Sequence, residues 1–235
     1  KFPSFSLVLP FYNEEKNLKI LIPQILNILK KIKNSYKIIL VDDVSNDNGL
    51  KICKGFEKRN RKIKVYKLFQ KGRQTGAIKK AINITNSDYV ICMDTDLQDD
   101  PKYLPKFVDN INKGYDLVVG KRTRVADKAP FILTFAVSIY DLIMELYFKK
   151  KMKTYRSPYI ATRLKFLKKL PWFKNDHRYL VPISLYRGAK KCMTIDYVLQ
   201  GRRYGVSNYN ARLKVISGFF EVMTFLFRLI FKSYK

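Results

Sequence analysis

The sequence predicts a single α/β domain on a mostly parallel sheet, and two observations carry that prediction. Residues 5–120 alternate short apolar runs with longer stretches whose apolar residues recur at helical spacing, the rhythm of βαβ units in which a helix returns the chain to the next parallel strand. An apolar share of 47% over 235 residues is an ordinary globular supply, enough for a substantial core in one domain or one domain with an appendage.

Taken in order, Ser6–Leu9 reads as a strand ended by Pro10, and Glu15–Lys33 as a helix with Leu18, Leu21, Ile22, Ile25, Leu26 and Leu29 on one face. Pro23 falls inside that helix, where it removes a donor and favours a kink or a delayed start. Ile38–Val41 is a second strand, and Asn46 and Asp47 suit the caps of a helix near Leu50–Arg59. Lys64–Leu68 is a third strand, Thr75–Ile84 a helix and Tyr89–Met93 an apolar fourth strand. A helix over Pro101–Asn112 opens with proline in its first turn, and Leu117–Val119 is a fifth strand.

Charge divides the chain. Lysine and arginine number 47 against 19 acids, a formal charge of +28; residues 1–120 carry +9 of it and residues 121–235 carry +19. The second half therefore faces a polyanion, whether nucleic acid, an anionic membrane or phosphorylated small molecules. Cys53, Cys92 and Cys192 are an odd number without metal-ligand spacing, which argues against a disulfide framework or zinc site and fits a reducing compartment. The first residues carry no basic-then-apolar leader.

Two long apolar stretches occupy the second half. In Phe131–Phe148, Thr134, Ser138, Asp141 and Glu145 form a narrow polar stripe on a helix, and Lys214, Ser217, Glu221, Thr224, Arg228 and Lys232 do the same over Lys214–Lys232. Core helices and interface helices both fit this pattern. Flanking lysines (149–151, 232 and 235) and the phenylalanines at 219, 220, 225, 227 and 231 favour a membrane interface. A span is disfavoured, because Val215–Phe231 holds Glu221 and Arg228, each costing about 2.5–3.5 kcal/mol near a bilayer centre.

Chemistry concentrates where the acids do. Asp94, Asp96, Asp99 and Asp100 fall directly after the fourth strand, and ligands of open α/β sheets bind beyond the carboxyl ends of strands. Two carboxylates two residues apart can share a hard divalent cation that also meets nucleotide phosphates. Turn acids that cap the next helix are the alternative, and suit Asp99 and Asp100 better than Asp94 and Asp96. Asp42–Asp43 ends the second strand, where a carboxylate could accept from a base, although Asp-Asp before Ser45, Asn46 and Asp47 also reads as a turn. Gly72-Arg-Gln-Thr-Gly76 is neither a dinucleotide fingerprint nor a P-loop. The one histidine, His177, reads as a packing or surface residue.

In order, Leu9-Pro-Phe-Tyr-Asn-Glu-Glu15, Val41-Asp-Asp-Val-Ser-Asn-Asp47, Gly72-Arg-Gln-Thr-Gly-Ala77, Asp94-Thr-Asp-Leu-Gln98 and Arg202-Arg-Tyr-Gly-Val-Ser-Asn-Tyr-Asn210 resemble the inverting family-2 glycosyltransferases of GT-A fold. The nearest resemblance is to the branch of dolichol-phosphate mannose synthase and bacterial polyprenyl-phosphate glycosyltransferases. It implies a metal-dependent transfer from a UDP- or GDP-sugar to polyprenyl phosphate. Pro10, Tyr12, Glu14 and Asp42, with Gly72 and Arg73, would hold the nucleotide sugar. Asp94, Asp96 and Gln98 would hold Mg²⁺ or Mn²⁺; Asp94, Asp96 and Arg122 would be catalytic; and Arg122, Arg202 and Ser207 would meet the acceptor phosphate. It further implies a transferase domain over 1–212, with an interface helix at about 129–150, and a membrane-associated helix over 213–235. The expected place is the cytoplasmic face of a membrane, with an anionic surface as partner, no nucleic acid and homo-oligomerisation left open.

Two positions depart from the family pattern. Val44 stands where glycine is usual, and Lys153-Thr-Tyr-Arg-Ser-Pro-Tyr159 lacks the acid that commonly precedes its arginine. A lipid phosphate, with a second pKa of ~6, is already mostly ionised at neutral pH and needs positioning more than a base. Transfer to a glycan acceptor is the rival and would need a base, for which Asp176 is the one acid between residues 146 and 195. A nucleic-acid-binding module is the rival from another class, and leaves the acidic cluster without a role.

Overall fold

The computed structural model describes the backbone of residues 2–123, 131–201 and 211–235, with side chains described for these except 131–136 and 211–219. Among these residues seven strands form one sheet: β1 (Phe5–Phe11), β2 (Tyr36–Asp42), β3 (Ile63–Lys67), β4 (Tyr89–Cys92), β5 (Leu117–Thr123), β6 (Ile160–Arg163) and β7 (Cys192–Val198). Their order is β3-β2-β1-β4-β6-β5-β7. Pairing is parallel except where β6 lies antiparallel between β4 and β5. Among the described residues seven α-helices connect or flank the strands: α1 (Glu15–Leu29), α2 (Gly49–Arg59), α3 (Arg73–Ile84), α4 (Leu104–Asn112), α5 (Phe131–Phe148), α6 (Leu180–Tyr186) and α7 (Ala211–Ile230).

The mostly parallel sheet and the first five strands follow the sequence pattern, with adjusted edges. Strand β1 does not stop at Pro10 but runs on to Phe11. The Pro10 carbonyl accepts from Thr95 on the β4 side, and a residue's N–H and C=O point the same way across a strand. The missing donor therefore faces a side where β4 has already ended at Cys92, and costs no ladder bond. Helix α1 tolerates Pro23 and ends at Leu29, four residues before its expected end, because Leu18, Leu21, Ile22, Ile25 and Leu29 are all buried on its inner face. At about 1.5–3 kcal/mol per buried side chain, that face outweighs the ~3 kcal/mol of an interior proline. Asp47 caps two helices at once: Oδ2 accepts from Glu15 N–H at 2.8 Å and Oδ1 from Gly49 N–H at 2.9 Å. The turn at Pro101–Tyr103 is 3₁₀, and α4 proper begins at Leu104.

Two apolar clusters cover the two faces of the sheet. Helix α7 joins one of them through Phe225 and Leu229, with Phe225 stacked on Tyr179 at 4.1 Å between centroids. Its described charged residues turn toward the domain: Glu221 pairs with Arg178 and Asn175, and Arg228 with buried Asp176. Leu146 of α5, and Phe220, Ile230 and Phe231 at α7, are each more than 60% exposed. Charge faces the protein and apolar surface faces out, the reverse of an ordinary surface helix. Among the described residues, no helix is long and apolar enough to cross a membrane.

Candidate active site

From β1 through β2 to β3 the sheet grows in one direction, and β4 then returns to the other side of β1. The loops after β1 and β4 therefore diverge, and a crevice opens between them at the carboxyl ends of the strands. A cavity of about 300 Å³ fills it, a size suited to a small molecule. Its walls are Pro10 and Phe11 at the end of β1, Tyr12 and Glu14 after it, Asp43 after β2, Gln74 and Ala77 on α3, and Asp94, Thr95 and Asp96 after β4. Thr95 Oγ1 donates to the Pro10 carbonyl at 3.1 Å and pins the two central loops together.

The loops around this cavity are strained. Asn13, Val44, Arg73 and Leu97, one in each, have φ between 53° and 64°, left-handed backbone costing on the order of 1–3 kcal/mol where the residue is not glycine. Hydrogen bonds between the loops hold them there: Asn13 N–H to Ser45 Oγ at 3.0 Å, Asn46 N–H to Asn13 Oδ1 at 2.8 Å, and Gly72 N–H to Asp43 Oδ1 at 2.7 Å.

Of the residues expected here, Pro10, Tyr12, Glu14, Asp94 and Asp96 converge on the cavity. Asp42 does not. It is wholly buried, with Oδ1 accepting from Ser45 N–H at 3.0 Å, because alternation along β2 turns it under the loop and gives the cavity wall to Asp43. Gly72 serves the site through its backbone, and Arg73 is exposed at the start of α3, off the wall. Gln74, the next residue, takes that place and donates to Asp94 Oδ1 at 2.6 Å. Gln98 is also off the wall; its carbonyl accepts from Gln200 N–H at 3.0 Å. Arg202 and Ser207 lie outside the described residues.

Arg122 reaches the site from β5. Its Nη2 donates to Asp94 Oδ2 at 3.3 Å and to Asp99 Oδ1 at 3.0 Å, and its Nε donates to Tyr197 Oη at 2.9 Å. Burial, with the charge of Asp99 beside it, pushes the Asp94 carboxyl up to about 7, against the opposing pull of Arg122. Such a carboxylate is short of positive charge. His177 lies on the far side of Asp94 with Nδ1 2.7 Å from Thr75 Oγ1, and burial holds its pKa down at about 4, so the ring is neutral at pH 7.

The family profile described as Glycosyl transferase family 2 matches residues 6–176, which spans β1, the acidic loop, β5 and β6. The chain belongs to this family. It is 30% identical over 94% of its length to the undecaprenyl-phosphate 4-deoxy-4-formamido-L-arabinose transferase of Photorhabdus laumondii, and 29% identical over 96% to that of Proteus mirabilis. It spans 67% and 68% of those relatives' lengths. Among solved structures, mannosyl-3-phosphoglycerate synthase from Rubrobacter xylanophilus superposes with a TM-score of 0.73 over 98% of this chain and 75% of its own, at 14% identity. Glucosyl-3-phosphoglycerate synthase from Mycobacterium tuberculosis, solved with Mn²⁺, UDP-glucose and phosphoglyceric acid, gives 0.66 over 87% and 73%, at 17% identity. At such identities the likeness establishes the GT-A fold. The enzyme is a glycosyltransferase.

For a family-2 enzyme the donor set at the cavity is informative. Among the described residues no three His, Cys, Asp or Glu side chains gather into a metal cage. Asp94 and Asp96 instead offer a pair of carboxylates on an open wall, which fits a divalent cation that completes its shell with substrate phosphates and water. The sequence places Asp43 and Asp99 in acidic clusters without assigning either a site role, and it does not single out Gln74 or Tyr197. Asp43 and Gln74 belong to the family-like motifs and directly follow Asp42 and Arg73. For Asp99 the capping alternative suits the sequence better than a metal role, and nothing local marks Tyr197.

Proposed function

We propose that this glycosyltransferase moves a sugar from a UDP- or GDP-sugar to polyprenyl phosphate, with inversion, at the cytoplasmic surface of a membrane. The observation that carries the proposal is the pair Asp94 and Asp96 at the strand-switch cavity, with the Arg122 guanidinium 3.3 Å from Asp94. The relatives named as undecaprenyl-phosphate transferases support a lipid-phosphate acceptor, and the outward apolar faces of α5 and α7 support a membrane site for it.

Each residue then has a task. Tyr12, Glu14 and Asp43 line the end of the cavity suited to the nucleoside, where a carboxylate can accept from base or ribose. Asp94 and Asp96 would hold Mg²⁺ or Mn²⁺, which when bound neutralises charge on the donor diphosphate as it departs. Arg122 adds a fixed positive charge beside it and, with Arg202 and Ser207, orients the acceptor phosphate. A phosphate monoester nucleophile is ionised at neutral pH, so no side chain need take its proton. Transfer to a glycan hydroxyl would need one, and Asp176 does not supply it: that carboxylate is fully buried against Tyr234 and Arg228.

The test incubates the enzyme with polyprenyl phosphate in detergent or vesicles, Mg²⁺ or Mn²⁺, and a panel of UDP- and GDP-sugars, and follows nucleotide release. Release that requires both lipid phosphate and metal is expected for at least one donor. Release that is independent of lipid but stimulated by an oligosaccharide would replace this proposal with the glycan-acceptor reading.

A further inference from the structure

Asp99 sits five residues beyond Asp94, yet its side chain is sealed from solvent and points away from the cavity into a closed ring of hydrogen bonds. Tyr197 Oη donates to Asp99 Oδ1 at 2.6 Å and accepts from Arg122 Nε at 2.9 Å; Arg122 Nη2 closes the ring on the same Asp99 oxygen at 3.0 Å. Asp99 Oδ2 in turn accepts from Asp94 N–H at 3.4 Å. Burial and the neighbouring Asp99 charge raise the Tyr197 phenol well above its ordinary pKa, so it stays a donor. The end of β7 clasps the same loop twice more, through Val198 N–H to Tyr103 Oη at 3.1 Å and Gln200 N–H to the Gln98 carbonyl at 3.0 Å. Tyr197 reaches Asp99 only because residue 120 is glycine: a Cβ there would lie 2.7 Å from Tyr197 Cε1 and 3.0 Å from the Tyr159 carbonyl.

We propose that Tyr197 is a positioning residue for the cation site, engaging Arg122 and Asp99 so that Asp94 keeps an oxygen available to the metal. The inference rests on the reading of Asp94 and Asp96 as metal ligands. Arg122 shares its donors among three acceptors, and its contact with Asp94, at 3.3 Å, is the longest of them. Without the phenol, Nε loses its acceptor and Asp99 loses a donor, and the nearest compensation is for the guanidinium to close on Asp94. A charge-assisted pair there competes directly with a divalent cation. Tyr197 touches neither the cavity nor a substrate, and acts through Arg122.

Adjacent Tyr159 provides the control. Its hydroxyl is buried and has no hydrogen-bond partner among the described residues, while its ring stacks on Phe107 at 4.2 Å and meets Tyr197 edge-on at 5.5 Å. Tyr159→Phe therefore alters the same aromatic cluster without cutting a bond. Tyr234→Phe, in the distant Asp176 contact, matches the loss of a buried carboxylate's donor.

Free Mn²⁺ is measured by electron paramagnetic resonance during titration of the protein alone and of protein with excess UDP or GDP, against buffers holding the same nucleotide. Tyr197→Phe is expected to raise the Kd for Mn²⁺ about tenfold or more. Gly120→Ala, which displaces the ring and keeps its hydroxyl, is expected to act in the same direction and stands in if Tyr197→Phe does not fold. Tyr159→Phe and Tyr234→Phe are expected to stay within about twofold of wild type. Equal Mn²⁺ affinity in wild type and Tyr197→Phe, or an equal loss in either control, overturns the inference while leaving the metal site standing. A wild-type protein that takes up no Mn²⁺ under any of these conditions overturns the metal reading itself.

Discussion

The phenol of Tyr234 donates to Oδ1 of Asp176 at 2.8 Å, with both side chains fully buried, and so ties the end of the chain to the domain. Asp176 Oδ2 accepts from Phe173 N–H at 2.8 Å, and Arg228 Nη1 lies 3.5 Å from Oδ1. Burial raises the Asp176 pKa against these partners, so every donor removed leaves a costlier carboxyl. Tyr234→Phe should cost ~1–3 kcal/mol, or roughly 3–10 °C in Tm for a chain of this size. Asp176→Asn should destabilise by a similar route, since an amide nitrogen would face the Phe173 N–H. Both variants should keep nucleotide binding and lose less than tenfold in kcat. Abolished turnover in a folded Asp176→Asn protein would restore that residue as a general base.

As the proposed metal ligand, Asp94 would trade stability for function. Its raised pKa means that the cation-free folded protein binds a proton more tightly than the unfolded chain does. Its contribution to stability is therefore largest near pH 4 and falls as pH rises toward 7. Asp94→Asn should flatten that dependence and leave the metal-free Tm at pH 7.5 unchanged or a few degrees higher, as measured by scanning calorimetry. Mn²⁺ and nucleotide should raise the Tm of the wild type, and the same substitution should remove that rise and lower kcat by about 10²-fold or more.

Val44 has φ of 62° in the turn after Asp43, at the position where the sequence resemblance leads one to expect glycine. The turn thus keeps the conformation that glycine favours and forces a β-branched residue into it. Val44→Gly should relieve on the order of 1–2 kcal/mol of left-handed strain, offset in part by the greater entropy of glycine in the unfolded chain. A net gain of up to ~1 kcal/mol should appear as a higher urea midpoint at unchanged slope. A lower midpoint would show that Val44 packing outweighs its strain.

His177 makes stability depend on pH in the opposite sense to Asp94. Burial, with Arg178 and Arg156 nearby, holds its folded pKa at about 4, below the ordinary 6.5. Between those values the unfolded chain takes up a proton that the folded one refuses, so stability present above pH 6.5 is lost as pH falls toward 4. The loss is at most about 3 kcal/mol, and less because the ring keeps some contact with water. The difference in unfolding free energy between wild type and His177→Gln should therefore shrink on going from pH 7.5 to pH 5. A difference that stays constant would mean that His177 does not titrate in this range.

Reading the sequence succeeded where information was local. Strands β1 to β5 and helices α1 to α4 show their period within a dozen residues, and Asp94 and Asp96 stand out because carboxylates are scarce and fall at a strand end. Strand β6 is four residues long, and its antiparallel place between β4 and β5 is set by packing across the sheet. Strand β7 lies at the sheet edge and is half exposed, so its apolar signal is diluted. Asp99 shows the limit most clearly. Capping before α4 is done by Asp100, which accepts from Lys102 N–H at 2.9 Å, whereas the side chains that bond Asp99 are 23 and 98 residues away along the chain. No spacing rule reaches that far.

The polar stripes on α5 and α7 were legible, but their direction was not, and it decides the last prediction. Arg228 and Glu221 point into the domain, and Phe220, Phe227 and Phe231 point out, with Phe227 and Phe231 in contact at 4.0 Å between ring centroids. Exposed rings contribute little to folding but on the order of 1–3 kcal/mol each if buried in a bilayer interface. Replacing Phe220, Phe227 and Phe231 together by serine should leave Tm within a few degrees of wild type and lower partitioning onto vesicles containing phosphatidylglycerol by about 100-fold or more, read by co-sedimentation. Wild-type binding should weaken with salt, since the half of the chain that bears these helices carries +19 of the +28 net charge. Equal sedimentation of wild type and the triple variant would show that these faces meet something other than lipid.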